Sequence, residues 1–103
     1  MYWIYVVQLA DEAWDEKDLK EANPQLDNDD VPISCVYVGA SSQPAKRVAE
    51  HLAGERSNRL VQQYFQRADY RVRKAFTWEK AKEIEEEIAR ELREKGHAVY
   101  SKT

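Results

Sequence analysis

The sequence predicts an α+β fold of one domain, in which a small three-stranded sheet is flanked by helices. Two segments, 1–9 and 31–38, are rich in β-branched and aromatic residues and are apolar on both alternating faces. That pattern is typical of strands covered on both sides. Residues 78–95 repeat their apolar positions with a helical period. A chain of 103 residues has room for one modest core.

The first half of the chain predicts two strands separated by an acidic segment. Residues 1–9 (MYWIYVVQL) are expected to form a central strand. Residues 10–30 predict a short helix near 11–21, followed by turns. Residues 31–38 (VPISCVYV) predict the second strand, with Pro32 suited to its entry because proline cannot donate to a ladder.

The second half of the chain predicts three helices and the remaining strands. The expected elements are helices at 44–53, 57–66 and 78–95, a strand at 70–76, and a short terminal strand at 97–100. Ser41 or Ser42 is a candidate N-cap of the first of these helices. Thr77 is the expected N-cap of the last helix, and Gly96 is expected to end it.

The net charge of −3 conceals a strong asymmetry along the chain. Residues 10–30 hold nine acidic side chains against two lysines, a net of −7, and residues 41–76 hold eight basic side chains against three acidic ones, a net of +5. Arginines interleaved with aromatic residues are typical of nucleic-acid-binding surfaces, and an ordinary solvated face is the alternative. The candidate nucleic-acid-binding residues are Lys46, Arg56, Arg59, Arg71 and Arg73.

Several classes of protein are disfavoured by composition. No apolar run approaches the roughly 20 residues of a membrane span, and Met1 leads directly into strand-like sequence. We therefore expect a cytoplasmic protein with no leader and no membrane partner. Cys35 is the only cysteine, which excludes an intramolecular disulfide and a cysteine-based zinc cluster. Its apolar neighbours favour a core position over a nucleophilic role.

The acidic segment, residues 10–30, is expected to lie outside the core because few of its residues are apolar. Asn23-Pro24 and the Asp27–Asp30 run are interpreted as turns, since the run lacks the glycine and glutamate of a calcium loop. A negative flap beside a basic face is expected to reduce nonspecific phosphate binding. Mimicry of nucleic acid and docking of a protein partner are the alternative roles.

One glutamate of the last predicted helix points toward the core. At about 100° per residue, the buried stripe consists of Ala81, Ile84, Ile88 and Leu92. Glu85 falls inside this sector, and a buried carboxylate must be paired or must bind a cation. A salt bridge to an arginine or an edge position that reaches water is the structural interpretation, and cation binding is the functional one. On the helix at 44–53, Arg47 and His51 are four residues apart and share a face. His51 is also compatible with a plain surface position, and Arg47 with pairing to Glu85.

Two tripeptides and the residues that follow them resemble the GIY-YIG nuclease superfamily. Trp3-Ile4-Tyr5 and Tyr37-Val38-Gly39 are similar to the two motifs that name it. The resemblance implies that Arg47 is the arginine of the helix after the second motif, that His51 follows one turn later, and that Glu85 is the metal-binding glutamate. It covers nearly the whole chain, and it implies a central, mainly antiparallel three-stranded sheet.

The resemblance implies a metal-dependent endonuclease that hydrolyses phosphodiester bonds with Mg²⁺ or Mn²⁺ held by Glu85. The implied catalytic residues are Tyr5, Tyr37, Arg47, His51 and Glu85, and the implied partner is nucleic acid, DNA ahead of RNA. Three features depart from the family pattern: Trp3 replaces a glycine, the acidic segment separates the two motifs, and no asparagine follows the last helix. The alternative is a catalytically inactive module of the same fold that binds nucleic acid or protein.

Overall fold

The computed structural model describes residues 1–55 and 58–101 of the chain. In this part, the strands are β1 (Tyr2–Leu9), β2 (Cys35–Ser41), β3 (Phe65–Ala75) and β4 (Ala98–Tyr100). The α-helices are α1 (Lys17–Glu21), α2 (Pro44–Leu52), α3 (Arg59–Tyr64) and α4 (Trp78–Glu94), and a 3₁₀ turn spans Asp11–Asp15. The predicted α+β class is confirmed.

The strands form a mixed sheet in the order β3-β1-β2-β4. β1 is central and pairs antiparallel with both β2 and β3, as its apolar faces predict. β4 pairs parallel with β2 through Cys35–Ala98, Val36–Val99 and Tyr37–Tyr100. β3, β1 and β2 thus form the predicted antiparallel part of the sheet, and the expected short segment near residue 100 joins its edge as a fourth, parallel strand.

Helices cover both faces of the sheet, which explains why β1 and β2 are apolar on both sides. On one face, α2, α3 and the acidic segment bury Val48, Leu60, Val61, Trp14 and Leu19 against Tyr5, Val7, Leu9 and Tyr37. On the other face, α4 buries Ala81, Ile84, Ile88 and Ala89 against Ile4, Val36, Val38 and Val99. The sheet thus separates two apolar layers.

The acidic segment is part of the core, contrary to the prediction. Ala13 and Leu19 are fully buried, and Trp14 is 8% exposed. The Trp14 indole Nε1 donates to the Asp30 carbonyl at 3.0 Å, which closes the segment on itself. Few apolar residues suffice because all three lie on the inner side, while the carboxylates face outward. Replacing the segment with a short turn would therefore remove core contacts.

Element boundaries differ from the prediction mainly around β2. The predicted strand covered residues 31–38, whereas β2 begins at Cys35 and continues through Gly39 to Ser41. Gln43 occupies the N-cap position of α2 without a side-chain hydrogen bond, which overturns the serine cap. Ser41 Oγ instead accepts from the Gln43 N–H at 3.0 Å. At α4 the prediction is confirmed, since Thr77 Oγ1 accepts from the Lys80 N–H at 3.1 Å.

β3 is longer than the predicted strand at 70–76, because it begins at Phe65, directly after α3. No helix in the described part of the chain is long and apolar enough to span a bilayer.

Candidate functional site

A pair of buried tyrosines lies at the centre of the candidate site. Tyr5 projects from β1 and Tyr37 from β2 onto the sheet face that α2 and α3 cover. Their ring centroids are 6.2 Å apart at an interplanar angle of 40°. Both side chains are at most 3% exposed. Because neighbouring strands fix both backbones, the distance between the two phenols is set by the sheet register.

Gly39 makes room for the Tyr5 ring. In the β1–β2 ladder Tyr5 lies directly opposite Gly39. A Cβ atom built on Gly39 would lie 2.5 Å from both Cζ and Oη of Tyr5. The phenol therefore crosses over β2 at the one residue without a side chain. The sequence offered a signal for this role, since Gly39 ends the Tyr37-Val38-Gly39 tripeptide.

His51 and Arg47 reach the tyrosine pair from α2. The His51 ring is buried, and it meets Tyr37 edge-on with 6.0 Å between centroids and an interplanar angle of 74°. Arg47 lies one helical turn earlier, and its charge lowers the pKa of both tyrosines. Its Nε is 3.7 Å from Glu50 Oε1. The predicted shared face of the two α2 residues is therefore the face toward Tyr37.

Glu85 approaches from α4, the helix on the opposite face of the sheet. Its predicted inward direction is confirmed, because the side chain is 0% exposed. Glu85 Oε1 accepts from Ser101 Oγ at 2.9 Å. Ser101 follows Tyr100, whose ring centroid is 6.3 Å from that of Tyr37. The carboxylate thus lies beside the end of β4, and its charge raises the pKa of both Tyr5 and Tyr37.

The two phenols are neutral hydrogen-bond donors at neutral pH. Burial is the main cause that raises the pKa of each above its usual value near 10. The contact between the two side chains raises the pKa of Tyr5 further and opposes the rise at Tyr37. A tyrosinate base is therefore strongly disfavoured at this site.

Asn58 is a further member of the cluster that the sequence reasoning missed. Its Oδ1 accepts from the Val61 N–H at 3.2 Å and caps α3, and the residue is 8% exposed. Burial is the main cause that raises the pKa of Tyr37, and the Asn58 side chain opposes that rise. Asn58 therefore adjoins Tyr37 from the start of α3.

An open polar cleft of about 120 Å³ lies at the start of α2. It is lined by Ser41, Ser42, Gln43, Lys46, Arg47 and Glu50. This volume is below the roughly 300 Å³ of a pocket for a drug-sized molecule, and it suits a small polar group such as phosphate. Of the five predicted catalytic residues, only Arg47 lines the cleft, and the other four are buried.

The candidate ligand for a metal ion is the carboxylate of Glu85. Among residues 1–55 and 58–101, no three His, Cys, Asp or Glu side chains are grouped as metal ligands. Mg²⁺ is compatible with one protein carboxylate because it usually retains several waters. Glu85 provides that hard oxygen ligand, but its carboxylate is covered by contacts that include the Ser101 hydroxyl.

The candidate nucleic-acid-binding residues do not form one surface. Arg59 is held by the acidic segment, since its Nη2 donates to Glu16 Oε2 at 2.7 Å. The other oxygen of Glu16 accepts from the Tyr64 hydroxyl at 2.7 Å. The contribution of Arg59 to the net positive charge of residues 41–76 is therefore neutralised within the fold. Arg56 lies outside the described residues.

The remaining candidates lie on α2 and β3. Lys46 is exposed and lines the cleft beside Arg47. Arg71 is exposed, with its guanidinium 5.2 Å from the centroid of the Trp3 ring. Arg73 is exposed and lies opposite Ile4 in the ladder, which places it on the α4 side of the sheet.

Cys35 occupies the core position that its apolar neighbours predicted. The residue is 1% exposed, and burial is the main cause that raises the pKa of its thiol to about 11. A nucleophilic thiolate is disfavoured at such a position.

Comparisons of the chain with protein-family models, curated proteins and solved structures gave no match.

Proposed function

We propose that the chain is a small nuclease of the GIY-YIG type that hydrolyses phosphodiester bonds in nucleic acid. The observation that carries the proposal is the surroundings of the two motif tyrosines. Both phenols are influenced by the positive charge of Arg47 and the negative charge of Glu85, which are 38 positions apart in the sequence. A cation and a carboxylate that both act on the same pair of neutral phenols suit the chemistry of a phosphodiester.

Each residue has a distinct part in the proposed reaction. Arg47, at the cleft wall, neutralises the charge that develops on the scissile phosphate. The neutral phenols of Tyr5 and Tyr37 orient the attacking water or a phosphate oxygen by donating hydrogen bonds. His51 is the better candidate for accepting the proton of the water, because an ordinary imidazole has a pKa near 6.5. Glu85 would hold Mg²⁺ or Mn²⁺, which when bound stabilises the charge on the leaving oxygen.

The second candidate function is a binding module without catalysis. The enclosed position of Glu85 favours it, because a carboxylate with no exposed surface cannot take a hydrated ion as the chain stands. In this alternative the cleft binds phosphate through Lys46 and Arg47, and Glu85 has a structural role.

The test is cleavage of single-stranded, duplex and branched DNA and RNA with Mg²⁺ or Mn²⁺. We expect metal-dependent cleavage that falls by at least about 100-fold in Arg47→Ala, by analogy with removing one donor to a developing oxyanion. Glu85→Gln keeps the shape of the side chain and should also abolish the metal-dependent cleavage. Thermal unfolding of each variant reports separately on folding.

The matched controls come from exposed residues of α4. Glu83→Gln removes a carboxylate of the same helix that is paired with Lys80 at 3.4 Å, and Arg90→Ala removes an exposed arginine. Both should retain cleavage. Metal-independent binding with no cleavage of any substrate would select the binding module. Equal losses of cleavage in Glu85→Gln and Glu83→Gln would show that Glu85 has no specific role in the site.

A further inference from the structure

Two aromatic rings and two cations form a strip on the sheet face that also carries Tyr5. The aromatic–cation strip consists of Trp3, Arg71, Lys74 and Phe76. The Lys74 Nζ is 6.0 Å from the centroid of the Trp3 ring and 5.6 Å from that of Phe76, and the Arg71 guanidinium is 5.2 Å from the Trp3 ring. Phe76 is 75% exposed, a large apolar area to leave in water.

The strand register places this strip beside the polar cleft. Trp3 precedes Tyr5 by two residues on β1, so both side chains lie on the same face of the sheet. In the ladders, Trp3 lies opposite Lys74 of β3 on one side and opposite Ser41 of β2 on the other. Ser41 lines the cleft that holds Arg47. The strip and the cleft are therefore neighbours across β1 and β2.

Cation–π pairing between β1 and β3 is the purely structural explanation of the strip. It accounts for the contacts of Trp3, but it leaves the Phe76 ring in solvent. Within residues 1–55 and 58–101, no carboxylate forms an ion pair with Arg71 or Lys74. The nearby Asp69 carboxylate accepts from the backbone N–H of Arg71 at 3.2 Å. The side-chain charges of both cations thus remain available to a ligand.

We propose that the aromatic–cation strip binds single-stranded nucleic acid, with bases stacked on Trp3 and Phe76 and phosphates held by Arg71 and Lys74. An exposed ring and a half-buried ring next to cations suit unstacked bases, because every base has a π face and every nucleotide a charge. A duplex hides the faces of its bases and would depend on the cations alone. The proposal rests on the proposed function in one respect: the strip would lead a strand to Arg47.

The test is fluorescence anisotropy of a labelled thymidine oligonucleotide of about 12 nucleotides, in EDTA at low salt so that no cleavage occurs. Loss of one stacking platform costs about 1–3 kcal/mol. We therefore expect Trp3→Ala to weaken binding of the single strand by about 5- to 150-fold, and Phe76→Ala to weaken it similarly. Trp3→Phe should restore most of the affinity. Binding of the matching duplex should change little in these variants.

Trp78→Ala is the matched control. Trp78 is 40% exposed and has Lys82 over its ring at 5.9 Å, but it packs against Tyr2 on the α4 side of the sheet. Its removal should leave single-strand binding unchanged. The proposal would be overturned if Trp3→Ala and Trp78→Ala weakened single-strand binding equally, or if the natural chain did not bind the single strand. Circular dichroism verifies that each variant is folded.

The strip and the nuclease proposal fail in different ways. If the chain binds single strands through Trp3 but cleaves no substrate with Mg²⁺ or Mn²⁺, the strip proposal is supported and the nuclease proposal is refuted. If cleavage depends on Arg47 but Trp3→Phe and Trp3→Ala leave the affinity for single strands unchanged, the nuclease proposal is supported and the strip proposal is refuted.

Discussion

The contact between Gly39 and Tyr5 makes a prediction that needs no knowledge of the ligand. In Gly39→Ala, the new methyl carbon would lie 2.5 Å from Cζ and Oη of Tyr5. Carbon atoms in contact are normally about 3.5–4.0 Å apart, so the phenol has to move by about 1 Å or more. Tyr5 is 1% exposed, and no open space receives the ring.

The expected cost follows from the two opposing effects of the substitution. Overpacking a well-packed core costs about 1–3 kcal/mol. Replacing glycine by alanine in a strand gains about 0.5–1 kcal/mol, because the unfolded chain loses freedom. In a Tyr5→Leu background the distal ring atoms are absent, so only the gain remains. The coupling free energy between the two substitutions should therefore be about 1–3 kcal/mol, the size of the steric conflict alone.

The assay is a double-mutant cycle measured by urea unfolding of the natural chain, Gly39→Ala, Tyr5→Leu and the double variant. Near-UV circular dichroism should report the displaced tyrosine only in the Gly39→Ala single variant. A coupling free energy below about 0.5 kcal/mol, the usual error of additivity, would show that the ring does not cross over Gly39.

The remaining predictions concern stability. Asn23→Ala should lower the free energy of unfolding in urea by about 2–3 kcal/mol. The reason is that the buried Asn23 amide accepts from the Val99 N–H at 2.8 Å and donates to the Val99 carbonyl at 3.0 Å. A loss below about 0.5 kcal/mol would refute this role. The titration of Cys35 should lower the free energy of unfolding by up to about 1.4 kcal/mol per pH unit between about pH 9 and 11, because the unfolded chain loses the Cys35 proton while the folded chain, with its raised pKa, keeps it. Cys35→Ala should remove this part of the decline, and an unchanged slope would contradict the pKa assignment.

The parts of the fold that the sequence predicted are those governed by strong periodicity. α4 has 17 residues, a threonine cap and one apolar stripe, so its direction and the burial of Glu85 followed from helical geometry. β1 is apolar on both faces and is central in the sheet. In both cases local pattern and tertiary packing agree, which is the condition for prediction from sequence.

The parts that the sequence did not predict depend on pairing between distant residues. β4 has three residues, and only its register with β2 makes it a strand. β3 is an edge strand with exposed side chains along its length, so its first residues showed no apolar alternation. Asn23 was interpreted as a turn residue beside Pro24, yet its side chain satisfies backbone groups 76 positions away. Short-range pattern contains no information about such a partner.

The candidate site shows the same division. The positions of Tyr37, Arg47 and Glu85 were inferred from chain order and helix direction. Small errors in element boundaries change neither of these. Asn58 and Ser101 were missed because each acts on a member of the site from a loop or chain segment whose position only the fold defines. The glycine was recognised as part of a tripeptide, whereas its physical role appears only when Tyr5 is seen opposite it.

The distribution of charge in the fold limits which cations are available to bind nucleic acid. Composition gives residues 41–76 a net of +5 and residues 10–30 a net of −7, which suggests that the acidic segment as a whole repels phosphate from the basic surface. In the structure the interaction is local, because Glu16 binds Arg59 with one oxygen and Tyr64 with the other. The acidic segment thus fixes α3 in place through one carboxylate. A phosphate backbone would have to displace Glu16 to reach Arg59, whereas it meets Lys46, beside the cleft, directly. Binding should therefore follow individual ion pairs more closely than the net charge of either segment.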